Sequence, residues 1–258
     1  GDTRDSVAYE KAGIMRDGVP ALCGDLDIPG PLLEHAESLK SPLFLRGRDF
    51  DLALDPHSWH WRGVGPGGEP LELQDLPLLS LPMENAALAL QAYATLALPW
   101  EPAALSAALQ RTRVVGRLDS RQISWRGREI ALLLDVGHNP HAASYLAQRL
   151  EQRPVDGRRL AVFGLLADKD LNGVLEAMSS CIADWAVAPL PTPRTQSATQ
   201  LAAALLERGA SVSQYASFEQ ALDAQCAKAE TDDEVVVFGS FYCVAAALDW
   251  LEQRAGES

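Results

Sequence analysis

The chain has 258 residues, 47% of them apolar, a formal net charge of −13 and four cysteines. That length accommodates two modest domains with a sizeable core. No apolar run reaches the length of a membrane span and no charged-then-apolar leader opens the chain, so a soluble cytoplasmic protein is expected. The acidity argues against nucleic acid as a partner, because a phosphate backbone needs clustered Lys and Arg.

Cys23, Cys181, Cys226 and Cys243 are widely spaced without a C-x-x-C pair, so they read as reduced core thiols and not as a zinc site or disulfide framework. The opening Gly-Asp-Thr-Arg has no methionine and is expected of a piece of a longer parent.

In the first part of the chain, Ala8 to Asp25 (AYEKAGIMRDGVPALCGD) places Lys11 after Glu10 and before a small-residue turn. Val19 to Gly24 reads as a strand, Pro31 to Lys40 as a helix and Leu43 to Arg46 as a second strand. Asp51 to Trp61 reads as a hairpin-like segment, Gly63 to Pro70 as a flexible turn and Asn85 to Leu98 as an alanine-rich helix. A boundary near Val114 to Leu118 gives expected domains 1–115 and 116–258.

From about Gln122 onward, short apolar runs alternate with polar turns and helix-period segments, which predicts βαβ units and a parallel sheet. The strands are expected at Leu132 to Leu134, Leu160 to Phe163, Trp185 to Ala188, Val212 to Tyr215 and Val235 to Phe238. Asn139 before Pro140 reads as a helix cap, Ser197 with Gln200 and Ser217 with Gln220 have capping-box spacing, and Gly209 reads as a helix stop. The proline-rich Pro189 to Arg194 lies between a strand and a capped helix, where loops carry function.

Ligands of open α/β sheets bind outside the carboxyl ends of the strands. The polar residues there are Asp135, His138 and Asn139, then Asp168 and Lys169, Arg194, and Ser240 with Tyr242. Each group opens a helix whose free amides and dipole favour anions. Singly, each has a plainer reading: an aspartate at a strand end forms turns or caps, and Lys169 between two aspartates is a solvated charge. Lys11 likewise reads as an exposed helix lysine.

Six segments in chain order resemble the folylpolyglutamate synthase and dihydrofolate synthase family of the Mur ligase superfamily. They are EKAGIMRDGVPALCGD, LPMENAALALQA, VVGRLDS, LLLDVGHNPHAA, GLLADKD and VVFGSFYCVA, spread across essentially the whole chain. The resemblance implies an α/β fold in which part of a central ATPase domain precedes a Rossmann-like domain with a mostly parallel sheet. It implies a cytoplasmic, monomeric ligase that uses ATP and Mg2+ to form an acyl phosphate on dihydropteroate or folate, which L-glutamate then attacks.

The family pattern further implies that Lys11 becomes a carbamate able to ligate magnesium through oxygen, that Asn85 meets the adenine and that Arg117 reaches the phosphates. It implies that Asp135 binds the ribose, that His138 stands by the phosphates and the incoming glutamate, and that Lys169 and Ser240 contact the glutamate carboxylates. Gly137 replaces the family's usual alanine. The family's phosphate loop and its metal-binding glutamate and histidine precede the segments present here, and no G-x-x-x-x-G-K-[ST] occurs. The chain alone is therefore expected to be inactive. Another Mur-type amino-acid ligase and a non-catalytic Rossmann-like binding module remain alternatives, while a dehydrogenase lacks its G-x-G-x-x-G.

Overall fold

The computed structural model describes residues 3–79 and 81–255, and its contacts divide the chain into Gly1–Thr112 and Arg113–Ser258. The first unit opens with α1 (Arg4–Ala12), where Thr3 and Ser6 form a reciprocal capping box. Strand β1 (Ala21–Cys23) pairs in parallel with β2 (Leu43–Leu45) across α2 (Gly30–Ser38). Strands β3 (Asp51–Leu54), β4 (Ser58–Val64) and β5 (Pro70–Pro77) form an antiparallel sheet, followed by α3 (Met83–Thr95) and α4 (Pro102–Arg111). The expected flexible turn is thus shorter, because Gly63 and Val64 complete β4 and Pro70 begins β5.

Phe50, Trp59, Trp61, Leu73 and Leu76 pack against Met83, Ala87, Leu90 and Ala94 of α3. Small alanines let the helix approach closely enough for Trp61 Nε1 to donate to Ala87 O at 3.0 Å. Val64 lies beyond Arg62, whose partner Asp51 is the first residue of β3, so no third strand reaches it. The fully buried Gln91 takes that place, donating Nε2 to Val64 O at 2.8 Å and accepting Val64 N at 3.1 Å. Gln91→Leu removes both partners and should cost about 2 kcal/mol. Urea unfolding would register this as a lower midpoint at unchanged slope, and an unmoved midpoint would refute the strand-substituting role.

The second unit follows the predicted alternation. Its elements are β6 (Asp119–Trp125), β7 (Arg128–Leu134), α5 (Pro140–Glu151), β8 (Arg159–Phe163), α6 (Leu171–Met178) and β9 (Asp184–Val187). They continue with α7 (Ala198–Leu206), β10 (Val212–Gln214), α8 (Phe218–Lys228), β11 (Glu234–Phe238) and α9 (Phe241–Ala255). The strand order is β10-β9-β8-β11-β7-β6, parallel throughout except for β6.

Strand β6 was absent from the expected set because it is polar and half-exposed, as an edge strand is. Arg126 and Gly127, both with positive φ (50° and 78°), close its two-residue hairpin to β7.

Both faces of the sheet are covered. Ala143, Leu146, Val174, Met178, Leu201 and Leu205 of α5, α6 and α7 bury one face. Phe218, Leu222, Cys226, Val244 and Trp250 of α8 and α9 bury the other. Double coverage explains the nearly continuous apolar strands, in which every residue of β11 is buried. All four cysteines are free, with Cys181 half-buried and the others buried. No helix among the described residues is long and apolar enough to cross a membrane.

Candidate functional site

The central strand β11 lies between β7 and β8. The helices that follow β7 and β8 cover one face of the sheet, whereas α9, which follows β11, covers the other. The connections therefore part on either side of β11 and open a crevice at the carboxyl ends of these three strands. Asp135, His138, Lys169 and Ser240 stand at that edge, and the Arg117 loop is bound to it.

Asp135 continues β7 and is 6% exposed, with its amide donating to Val237 O of β11 at 2.9 Å. Its Oδ2 accepts Leu118 N at 2.9 Å and its Oδ1 accepts Gly137 N at 2.7 Å. A third bond, Val136 N to Gly116 O at 2.8 Å, completes a seam between the arginine loop and the turn that carries His138. Burial raises the Asp135 pKa above the ordinary carboxylate value, while the two amides and the nearby Arg117 charge act in the opposite direction.

The loop that presents Arg117 requires Gly116, at φ +72°, where a Cβ would lie 2.9 Å from Val244 Cγ1. Arg117 is exposed, and its guanidinium carbon lies 6.0 Å from the centroid of the Phe241 ring. Phe241, itself 63% exposed, went unnoticed in the sequence. Its only signal is its place directly after the Ser240 turn, because hydrophobicity alone marks it for the core.

His138 is half-buried, with Nδ1 3.0 Å from Val136 O. A carbonyl only accepts, so Nδ1 carries the proton, which leaves Nε2 as a lone-pair site in the neutral ring. Asn139 then caps α5 as predicted, accepting Ala142 N at 2.9 Å.

Beyond β8, Asp168 pairs with Lys169 Nζ at 2.9 Å and with Arg194 at 2.8 Å. The Lys169 ammonium and then the Arg194 guanidinium lower the exposed Asp168 carboxyl to about 2. The loop that bears Arg194 is joined to this turn by Ala167 N donating to Arg194 O at 2.7 Å and Gln196 N to Leu165 O at 2.9 Å.

Ser240 is only 2% exposed. Its Oγ accepts Cys243 N at 3.2 Å and so closes the first turn of α9. Cys243 contacts Gly164 O at 3.2 Å, and burial pushes its thiol up to about 12.

In the first unit, Lys11 is exposed on the last turn of α1, and Asn85 is exposed on the first turn of α3. Among the described residues no group of three or more His, Cys, Asp or Glu is poised for a metal ion. The sheet edge of the second unit brings cationic side chains, two of them paired with Asp168, next to helix amino ends. It combines Arg117, Lys169 and Arg194 with the amino ends of α5, α6 and α9, in an otherwise acidic chain.

Residues 116–241 match the model of the Mur ligase glutamate ligase domain. The dihydrofolate synthase/folylpolyglutamate synthase of Escherichia coli is 35% identical over 98% of this chain and 57% of its own length. The structure of E. coli FolC in complex with DHPP and ADP superposes with a TM-score of 0.85 at 34% identity, covering 99% of this chain and 58% of that one. A bifunctional folylpolyglutamate synthase/dihydrofolate synthase with Mn, AMPPNP and L-glutamate bound gives a TM-score of 0.83 at 36% identity, with coverage of 98% and 58%. The chain spans somewhat under three fifths of the length of these relatives, and over that span it is similar to dihydrofolate synthase/folylpolyglutamate synthases, with a Mur ligase glutamate ligase domain over residues 116–241.

Proposed function

We propose that this chain is the carboxyl-terminal part of an ATP-dependent carboxylate–amine ligase that joins L-glutamate to dihydropteroate, to folate polyglutamates, or to both. The observation that carries this reading is the seam at Asp135, which holds the arginine loop and the histidine turn together at the crevice beside β11. The relatives reported above, one with ADP and another with L-glutamate bound, support it. In this reading residues 1–115 belong to a central ATP-binding domain and 116–258 form the ligase domain. The enzyme is a cytoplasmic monomer.

The chemistry has two steps. A substrate carboxylate oxygen attacks the γ-phosphorus of ATP, ADP leaves, and the resulting acyl phosphate is attacked by the glutamate amine with release of phosphate. The first step is limited mainly by positioning and by charge stabilisation, because the protein has little covalent work to do. In the second unit Arg117 supplies a cation to the phosphates and Asp135 meets the ribose.

Lys169 and the Ser240 turn receive the glutamate carboxylates. Since the Ser240 hydroxyl accepts a helix amide, its remaining capacity and the neighbouring amides of α9 serve that contact. His138 offers Nε2 to the proton that the glutamate amine sheds as the amide bond forms. Mg2+ would neutralise phosphate charge, held in part by Lys11 as its carbamate.

Glutamate-dependent ADP release by the full-length protein containing this sequence tests the reading, with 7,8-dihydropteroate and a tetrahydrofolate as acceptors and the 258-residue chain as control. Release by the full-length protein and none by the chain is the expected pair of results. Release dependent on a different acceptor or amino acid would move the assignment to another Mur-type ligase, and no release from either would remove the enzymatic reading.

A further inference from the structure

Gly173 occupies the first turn of α6 without any backbone reason to be glycine, since its φ lies outside the left-handed region. Glycine inside a helix is destabilising by roughly 0.5–1 kcal/mol relative to alanine, so its presence here needs another cause. That cause is space. A Cβ at Gly173 would lie 2.5 Å from Pro140 Cγ, 3.0 Å from Pro140 Cβ and 2.7 Å from Asp170 Oδ2.

Neither neighbour can swing away freely. Pro140 is the first residue of α5 and its ring is fixed to the backbone. Asp170 is held as the cap of α6, with Oδ1 accepting Gly173 N at 3.0 Å. Deeper in the unit, α5 and α6 are locked together through Ala143, Leu146 and Leu150 against Val174 and Met178. A bump at the top would therefore lever the two first turns apart.

These turns carry the two ligand-facing loops. His138 is two residues before Pro140, and Lys169 is four residues before Gly173. We infer that Gly173 is a positioning residue for the ligation: its missing side chain lets Pro140 and α6 touch, and that contact sets the separation of the His138 and Lys169 turns. The inference rests on the ligase reading for its kinetic consequence, but not for its geometry. Relieving a 2.5 Å approach to ordinary contact at about 3.5 Å needs a shift of about 1 Å. A misplacement of that size can cost about 100-fold in rate.

The test compares Gly173→Ala, Pro140→Ala and the double variant in the full-length protein. Gly173→Ala is expected to lower kcat/KM for glutamate by about tenfold or more, with KM for ATP within about twofold of wild type. Pro140→Ala removes the atom of closest approach and leaves residue 140 Cβ and Asp170 Oδ2 in place, so adding Gly173→Ala to it should cost several-fold less than Gly173→Ala costs the wild type. A merely structural glycine would lower Tm without this relief.

The His138 ring signals in an NMR spectrum of the 258-residue chain provide a readout independent of turnover: displaced by Gly173→Ala and partly returned in the double variant. Wild-type kinetics for Gly173→Ala, or an unmoved His138 signal, overturns the inference. Absence of glutamate-dependent turnover in the wild type would instead defeat the ligase reading, and the His138 signal would still decide the spacing.

Discussion

Asp135→Asn is expected to reduce kcat/KM for ATP by about 100-fold in the full-length protein, the equivalent of a charge-assisted hydrogen bond worth about 2.7 kcal/mol. The carboxylate binds two amide donors at once, Leu118 N and Gly137 N. Asparagine offers one carbonyl oxygen and turns an NH2 group toward the other donor, so one side of the seam must open. The loss reaches both Arg117 and His138, and kcat should fall together with kcat/KM.

A ribose contact alone behaves differently, and nucleotides lacking a ribose hydroxyl separate the two roles. If Asp135 also meets a ribose hydroxyl, removing that hydroxyl weakens wild type more than Asp135→Asn, while the kcat defect persists with either nucleotide. A variant with wild-type kcat would refute the seam as a catalytic determinant, and an equal deoxy penalty in both proteins would refute the ribose contact. The fold should tolerate the change, because asparagine keeps the size of aspartate and its one carbonyl oxygen still accepts one of the two amides.

The sequence foretold features that depend on near neighbours. The βαβ alternation, the Asn139–Pro140 start of α5 and the Ser197–Gln200 capping box of α7 are local patterns, and all three are formed. At Ser217 the hydroxyl accepts Gln220 N, which is one half of the capping box that the spacing suggested. Elements lacking a local apolar period escaped, namely polar β6 and the β5 segment PLELQDLP with proline at both ends, whereas α4 escaped although Leu105 and Leu109 stand at helical spacing. The Arg126–Gly127 hairpin lacks the Asn-Gly or Asp-Gly pair that announces such turns.

The candidate site divides along the same line. Aspartates at strand ends could be collected from the sequence, but their partners could not: Asp135 reaches Leu118 across 17 positions, and Arg194 reaches Asp168 across 26. Such pairings are set by strand order, which residue types do not specify. Ser240 shows the same limit, since the sequence offers it as a ligand contact and only the fold reveals that its hydroxyl also caps α9 by accepting Cys243 N.

The same dependence on strand order makes Gly239→Ala a strongly disruptive change in the second unit, at about 4 kcal/mol. Gly239 follows β11 at φ +112°, a region that costs other residues about 1–3 kcal/mol. An added Cβ would also lie 2.2 Å from Gly164 O and 2.8 Å from the Phe163 ring. Overpacking of this kind typically adds about 1–3 kcal/mol. Gly164 cannot retreat easily, because its own Cβ position is already hemmed in by Leu190, Ala188 O and Phe218, and Cys243 Sγ bonds its carbonyl at 3.2 Å.

Gly127→Ala isolates the backbone component, since Gly127 has φ +78° with nothing within 4 Å of its Cβ position, and should cost about 1 kcal/mol. Urea unfolding of the two variants would separate strain from space. Similar midpoints would mean that β8 and β11 can part at their carboxyl ends. A much lower midpoint for Gly239→Ala would establish that the two backbones are held in contact where the crevice begins, with Ser240 one residue beyond and the amides of α9 facing the ligand edge.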